Sequence, residues 1–259
     1  MIISAEDLDE LRYAKALLEN PSLAAKVANA LGAPIEKGLQ WLPASWSETV
    51  NYSTRAAIDK ALQLAVISLD DRAVRPASNF LHKIIVAGTG AGGGAFGLAG
   101  LPVELPISTL VMLRSIADIA RSQGEFIKSP ESQLACIEVF ALGGRSKEDN
   151  ATETGYFAVR MALQRAISDA AQYIAERGLA ERGAPAIVRL ITQVASRFGI
   201  VVSEKVAAQA VPVIGAASGA VVNVLFTDHY QDIARGHFTI RRLERKYSLD
   251  EVREAFERL

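Results

Sequence analysis

The chain has 259 residues, half of them hydrophobic, with 28 Lys and Arg set against 29 Asp and Glu. A formal charge of -1 and a pI near 6.3 leave no global field to draw it to nucleic acid, so no nucleic-acid partner is expected. The single cysteine, Cys136, excludes an intramolecular disulfide. The acidic opening Met1-Ile-Ile-Ser-Ala-Glu-Asp lacks the basic and apolar regions of a signal peptide, and a cytoplasmic protein that is not exported is expected.

Aromatics are few and the apolar mass is Ala, Val, Ile and Leu, which suits close-packed helices. In chain order, Ser4 starts a first helix with Glu6 and Asp7 in its first turn and Leu8, Leu11, Ala14 and Leu18 at helical spacing, ending at Asn20-Pro21. A short helix follows over residues 22–31, closed by Gly32 and Pro34. Trp41, Pro43 and Trp46 mark a connector. From about Ser47 a long amphipathic helix places Val50, Ala57, Ile58, Ala61, Leu64 and Ala65 broadly on one side and stops at Asp70-Asp71.

Residues 84–121 are the centre of the pattern. No charge occurs from Ile84 to Val103, and seven of the first seventeen residues are glycine. Gly88-Thr-Gly90-Ala-Gly92-Gly93 matches G-x-G-x-x-G after a strand-like run. The context argues against a dinucleotide site: Gly97, Gly100, Pro102 and Pro106 interrupt the helix that should follow, and no alternation of strands and helices surrounds it. Gly90 and Gly94, and Gly93 and Gly97, are instead spaced to share a helix face that another backbone can approach closely. The second uncharged run, residues 206–227, carries the same device as Gly215-Ala-Ala-Ser-Gly219. Two glycine-bearing helices or hairpins packed together are expected. Both runs are long enough for a membrane yet diluted by Gly, Ala and Pro, so a soluble core and a membrane-embedded hairpin both stay open.

After Pro106 a central helix is expected to run to Gly124. Ser129-Pro130-Glu131 starts the next, and Gly143-Gly144 stops it. Residues 145–155 read as a polar surface loop. Tyr156, Val159, Leu163, Ile167, Ala170 and Ile174 make a helical stripe ended by Gly178. Pro185 opens a helix that Gly199 is expected to close, and a further helix passes through residues 203–210. Pro212 begins the last apolar one, and Ser248-Leu-Asp-Glu251 is a capping box for a terminal helix. Nothing reads as a sheet. Asp118-Ile-Ala-Arg121 and Asp232-Ile-Ala-Arg235 form a weak internal echo, each closing a helix after a glycine-rich segment, as related hairpins would.

Few residues offer chemistry. Glu104 and Glu138 are carboxylates in apolar runs, costly unless protonated or paired, and Arg114, one turn from Asp118, is the expected partner. A structural ion pair accounts for such a set more simply than a ligand site does, although Arg114 could also hold the anionic head of a carried lipid between the glycine helices. Asp228, His229, Asp232 and His237 form the densest group of potential metal ligands, provided the chain turns at Gly236. A metal-assisted hydrolase would use them with Glu138 or Glu104 as acid-base group. No strict metal motif is present, capping and pairing to Arg235, Arg241 or Arg242 explain them equally, and no metal or cofactor is expected. Cys136 lies in an apolar helix that suppresses its thiolate. The basic run Arg241 to Lys246, interrupted by Glu244, could touch anionic headgroups or be a solvated face.

Gly100-Leu-Pro-Val-Glu-Leu-Pro106, the helix from Leu110 to Arg121, Ala135-Cys-Ile-Glu138-Val-Phe-Ala-Leu-Gly143, and Pro212 to Asn223 followed by Phe226 to Phe238 together resemble the EcsC family over roughly residues 84–247. The resemblance implies a helical, membrane-associated bacterial protein and supplies no reaction. The expectation is an all-α bundle of about ten helices in one domain, residues 1–76 packing on the 84–247 core around the two apolar segments. Its expected role is a non-catalytic helper or interaction module at the inner face of the cytoplasmic membrane, with lipids and, through the family, a transport protein as partners.

Overall fold

The computed structural model describes residues 3–19, 22–31, 38, 42–68, 100–144, 155–178, 183–210 and 216–259. Among them are nine helices and no strand: α1 Ala5–Leu18, α2 Leu23–Leu31, α3 Trp46–Ser68, α4 Leu101–Ser122, α5 Pro130–Leu142, α6 Gly155–Arg177, α7 Pro185–Ala210, α8 Ala216–Lys246 and α9 Leu249–Arg258. The fold is an all-α bundle. The glycine run 84–99, Gly215 and the loop 145–154 lie outside the described residues, so the packing expected of the two glycine segments is not seen.

Local chemistry sets most helix ends. The Ser4, Ser129 and Ser248 hydroxyls accept from the amides of Asp7, Ser132 and Glu251, as N-caps do. Gly178 ends α6 with φ +65°. The start of α2 is capped twice, the Ser22 hydroxyl accepting from the Ala25 amide at 3.3 Å and the distant Glu204 carboxylate of α7 from the Ala24 amide at 3.0 Å.

Two expectations about breakers are corrected. α4 begins at Leu101 and runs through Pro106, because Pro106 lies in the second turn, where its missing N–H costs one early bond. α7 is one helix through Gly199, which does not close it. Interior glycine costs about 1 kcal/mol, and the buried Val194, Phe198, Val202 and Val206 around it outweigh that. α7 is the bundle's central helix, touching α2, α3, α5, α6 and α8. It is also the one described helix long and apolar enough to cross a membrane, a property that core helices share.

Among the described residues small side chains permit close packing on α3 and at Gly236. Ser53, Ala57, Ala61 and Ala65 of α3 are fully buried at four-residue spacing, and α3 lies against α4 and α7. At Gly236 a Cβ would stand 2.7 Å from Leu18 Cγ and 2.9 Å from the Ala14 carbonyl oxygen, so α1 packs closely on α8, with the Leu18 side chain seated over the glycine. The chain does not turn at Gly236. α8 continues unbroken to Lys246, and Asp232–Arg235, unlike Asp118–Arg121, does not close its helix, although both are ion pairs three residues apart.

At the centre, Phe140 of α5, Phe198 of α7 and Phe226 and Tyr230 of α8 form one aromatic cluster, with centroids 5.1–6.0 Å apart. A second joins Tyr156 and Phe157 of α6 to Phe256 of α9.

Candidate functional site

Three helix ends meet at one end of the bundle. Glu104 in the first turn of α4, Lys205 near the end of α7 and Asn223 in the second turn of α8 are all buried. Lys205 Nζ donates to both carboxylate oxygens of Glu104, at 2.9 and 2.8 Å, and the Asn223 amide adds a third bond at 3.1 Å. The ammonium also stands 4.8 Å over the Phe226 ring. Burial lowers the Lys205 pKa, and the Glu104 charge and hydrogen bonds oppose that shift. The group therefore works as a structural lock, since the Lys205 ammonium and the Glu104 carboxylate are bound to one another and the Asn223 amide nitrogen donates to the carboxylate. Arg114, the expected partner of Glu104 and Glu138, is exposed and bonded to neither.

The outward face of α4 begins beside this lock. Val103 and Ile107 are 68% and 44% exposed, Leu110 is half-buried on the same face, and Arg114 follows one turn later. Positions 103, 107, 110 and 114 recur at helical spacing, giving an apolar stripe with a cation at its end. Val221 at the start of α8 is 42% exposed.

Further down the bundle the polar groups hold the chain together. Arg197 of α7 donates to the carbonyls of Ala141 and Gly144, and His229 Nε2 donates to that of Gly143 at 2.9 Å, so the C-terminal carbonyls of α5 are capped by side chains. A Cβ on Gly144 would lie 2.1 Å from the Arg197 carbonyl oxygen, a contact that only glycine permits. The basic run of α8 is spent on carboxylates of neighbouring elements. Arg241 makes a two-pronged bond to Glu125 at 2.9 and 3.1 Å, joined by Arg245 and by Ser132 at 2.8 Å. Burial would raise Glu125, but Arg241 and these neighbours hold it below its ordinary value. Arg242 pairs with Glu10. Lys246, Ser4 and Tyr247 bond Asp7 and keep its carboxyl well below the carboxylate range. This run straps α1 and the α4–α5 turn to α8.

The candidate metal group is not brought together. His229 turns to α5. Asp232 bonds Lys26 of α2 and Arg235, Asp228 is half-buried, and His237 faces Tyr156 and Glu138. On a straight helix eight residues separate the two histidines by about 12 Å along the axis. Among the described residues no three His, Cys, Asp or Glu side chains converge as a metal site. Cys136 is buried, which pushes its thiol up to about 12.

Glu138 has a different environment from Glu104. Burial raises its pKa to about 7, with Arg160 and Arg241 opposing and Glu244 assisting. Arg160 is bound two-pronged to Glu244, at 2.6 and 3.0 Å. Lys205, Asn223, Tyr156, Arg160, Arg197 and Glu125 were not candidates from sequence. Lys205 carried one available signal, its place seven residues after Phe198 on the buried face of α7.

The fold and these clusters define an all-helical protein in which buried Glu104, Lys205 and Glu125 hold helices in register and the outward face of α4 carries an apolar stripe. The chain belongs to the EcsC protein family, whose model matches residues 6–243, so the match takes in the N-terminal helices as well as nearly all of the 84–247 region. Neither a curated protein nor a solved structure matches the chain.

Proposed function

We propose that this protein is a non-catalytic, membrane-associated bacterial helper, resting on the inner face of the cytoplasmic membrane by the end of the bundle that carries Glu104. The outward stripe of α4 carries the reading. Eleven residues separate Val103 from Arg114, about 16 Å along a helix, which is about half the ~30 Å hydrocarbon thickness of a bilayer. An apolar stripe of that length suits one leaflet, with Arg114 at headgroup level. Glu104, Lys205 and Asn223, which flank or lie within the described parts of the two uncharged sequences, touch at this same end. A transport protein in the same membrane is the partner that family membership favours.

The metal-assisted hydrolase has less support, because His229, Asp232 and His237 turn to different neighbours. Arg114, being exposed, serves a membrane surface better than an internal lipid pocket. Flotation of the purified protein with anionic and neutral liposomes tests the proposal. Binding is expected to persist at high salt, since apolar insertion outlasts screening of charge. Protein left at the bottom of the gradient with both lipids would overturn it.

A further inference from the structure

A second buried cluster plays no part in membrane contact. His237 of α8 lies between Tyr156 of α6 and Glu138 of α5. Its Nδ1 is 2.8 Å from the Tyr156 hydroxyl, and its Nε2 is 3.7 Å from a Glu138 carboxylate oxygen. Nε2 is fully buried and has no hydrogen-bond partner. Glu138 is buried as well and bonds no cation directly. The charged groups around it are committed elsewhere. Arg160 of α6 is taken by Glu244 of α8, and Arg241 of α8 by Glu125 in the turn before α5. Arg197 of α7 donates to the carbonyls of Ala141 and Gly144 at the end of α5. Arg121 of α4 pairs with Asp118, and the buried positions of α3 carry no charge. A carboxyl, an imidazole and a phenol are thus neighbours, and the imidazole atom that faces the carboxyl, His237 Nε2, is left without a hydrogen bond.

We propose that Glu138, His237 and Tyr156 form one proton-binding site, in which the proton on Glu138 selects the tautomer of His237 and so the direction of the Tyr156 hydrogen bond. With Glu138 protonated, its O–H donates to Nε2, and Nδ1–H donates to the Tyr156 oxygen. When one proton leaves to solvent, the remaining imidazole proton sits on Nε2 and points at the carboxylate, and Tyr156 donates to Nδ1. Imidazolium forms in neither state, because burial first, then Arg160 and Arg241, push the His237 pKa well below its ordinary value. The change falls near neutrality, where burial places Glu138. Tyr156 sits in the first turn of α6, so the start of that helix is anchored by a bond that reverses with pH. This site does not depend on membrane binding.

Nitrogen-15 NMR of the imidazoles tests it in the full chain, where His237 is one of three histidines. From pH 5 to 9 the His237 proton is expected to move from Nδ1 to Nε2 with a midpoint of about 7, and Glu138→Gln is expected to keep one tautomer throughout. A single tautomer in the wild type, or an unchanged transition in Glu138→Gln, would overturn the site. Infrared spectroscopy of the wild type gives an independent reading if the variant does not fold. A protonated-carboxyl band at pH 6 that is gone by pH 8.5 is expected, and its absence at pH 6 contradicts the proposal.

Discussion

Lys205→Met is expected to lower the unfolding free energy by about 3–5 kcal/mol at pH 7, the range found when one partner of a buried ion pair is removed. Methionine fills the space of the lysine stem, so packing is largely kept. The loss is electrostatic: Glu104 would remain buried with only the Asn223 amide donating to it, and the cation over Phe226 would be gone. Glu104→Gln combined with Lys205→Met removes both charges and is expected to recover most of the loss. Urea unfolding of the two variants measures this. A single variant within about 1 kcal/mol of wild type would mean that the pair is hydrated and does not lock the helix ends.

Glu138→Gln is expected to change how stability depends on pH. The folded carboxyl titrates at about 7, against an ordinary value of 4.5. Below 4.5 both folded and unfolded chains hold the proton, and the group has no effect. Between 4.5 and 7 the unfolded chain releases it while the folded chain keeps it, so stability falls as pH rises. By about pH 7 this amounts to about 3 kcal/mol, the shift multiplied by 1.36 kcal/mol per unit. Asp7 and Glu125 act with the opposite sign. Their folded pKa values are depressed, so what they contribute is present at neutral pH and lost in acid. The difference between wild type and Glu138→Gln isolates the buried carboxyl. The variant is expected to be the more stable protein at pH 8, and the gap is expected to close towards pH 4.5. A gap that does not vary with pH would place Glu138 in contact with water.

The helical class and most helix ends are legible in the sequence because they depend on neighbours a few residues away. Ser129, Pro130, Gly178 and the Ser248 capping box act where their positions suggest. The cost of Glu104 and Glu138 is legible too, since a carboxylate in an apolar run needs a partner. The partners themselves are not. Lys205 lies 101 residues from Glu104, and in Ser203-Glu204-Lys205 it resembles an ordinary solvated position until α7 is seen to run unbroken through Gly199. Arg114 was the natural choice from its spacing to Asp118, yet it belongs to the same outward face as Val103 and Ile107. The histidines diverge because Gly236 admits α1 instead of bending α8. Each miss concerns which helix lies against which, and that is settled by contacts between distant parts of the chain.

An environment-sensitive fluorophore placed on α4 tests membrane contact most directly. Cys136 is buried with its thiol pushed up to about 12, so labelling at pH 7 would be confined to an introduced exposed cysteine. Val103→Cys probes the apolar stripe, and Met161→Cys, exposed on α6, is the control. With anionic vesicles the emission at position 103 is expected to shift to the blue while that at 161 stays unchanged. No shift at 103, or an equal shift at both sites, would contradict insertion of the Glu104 end and with it the proposed function.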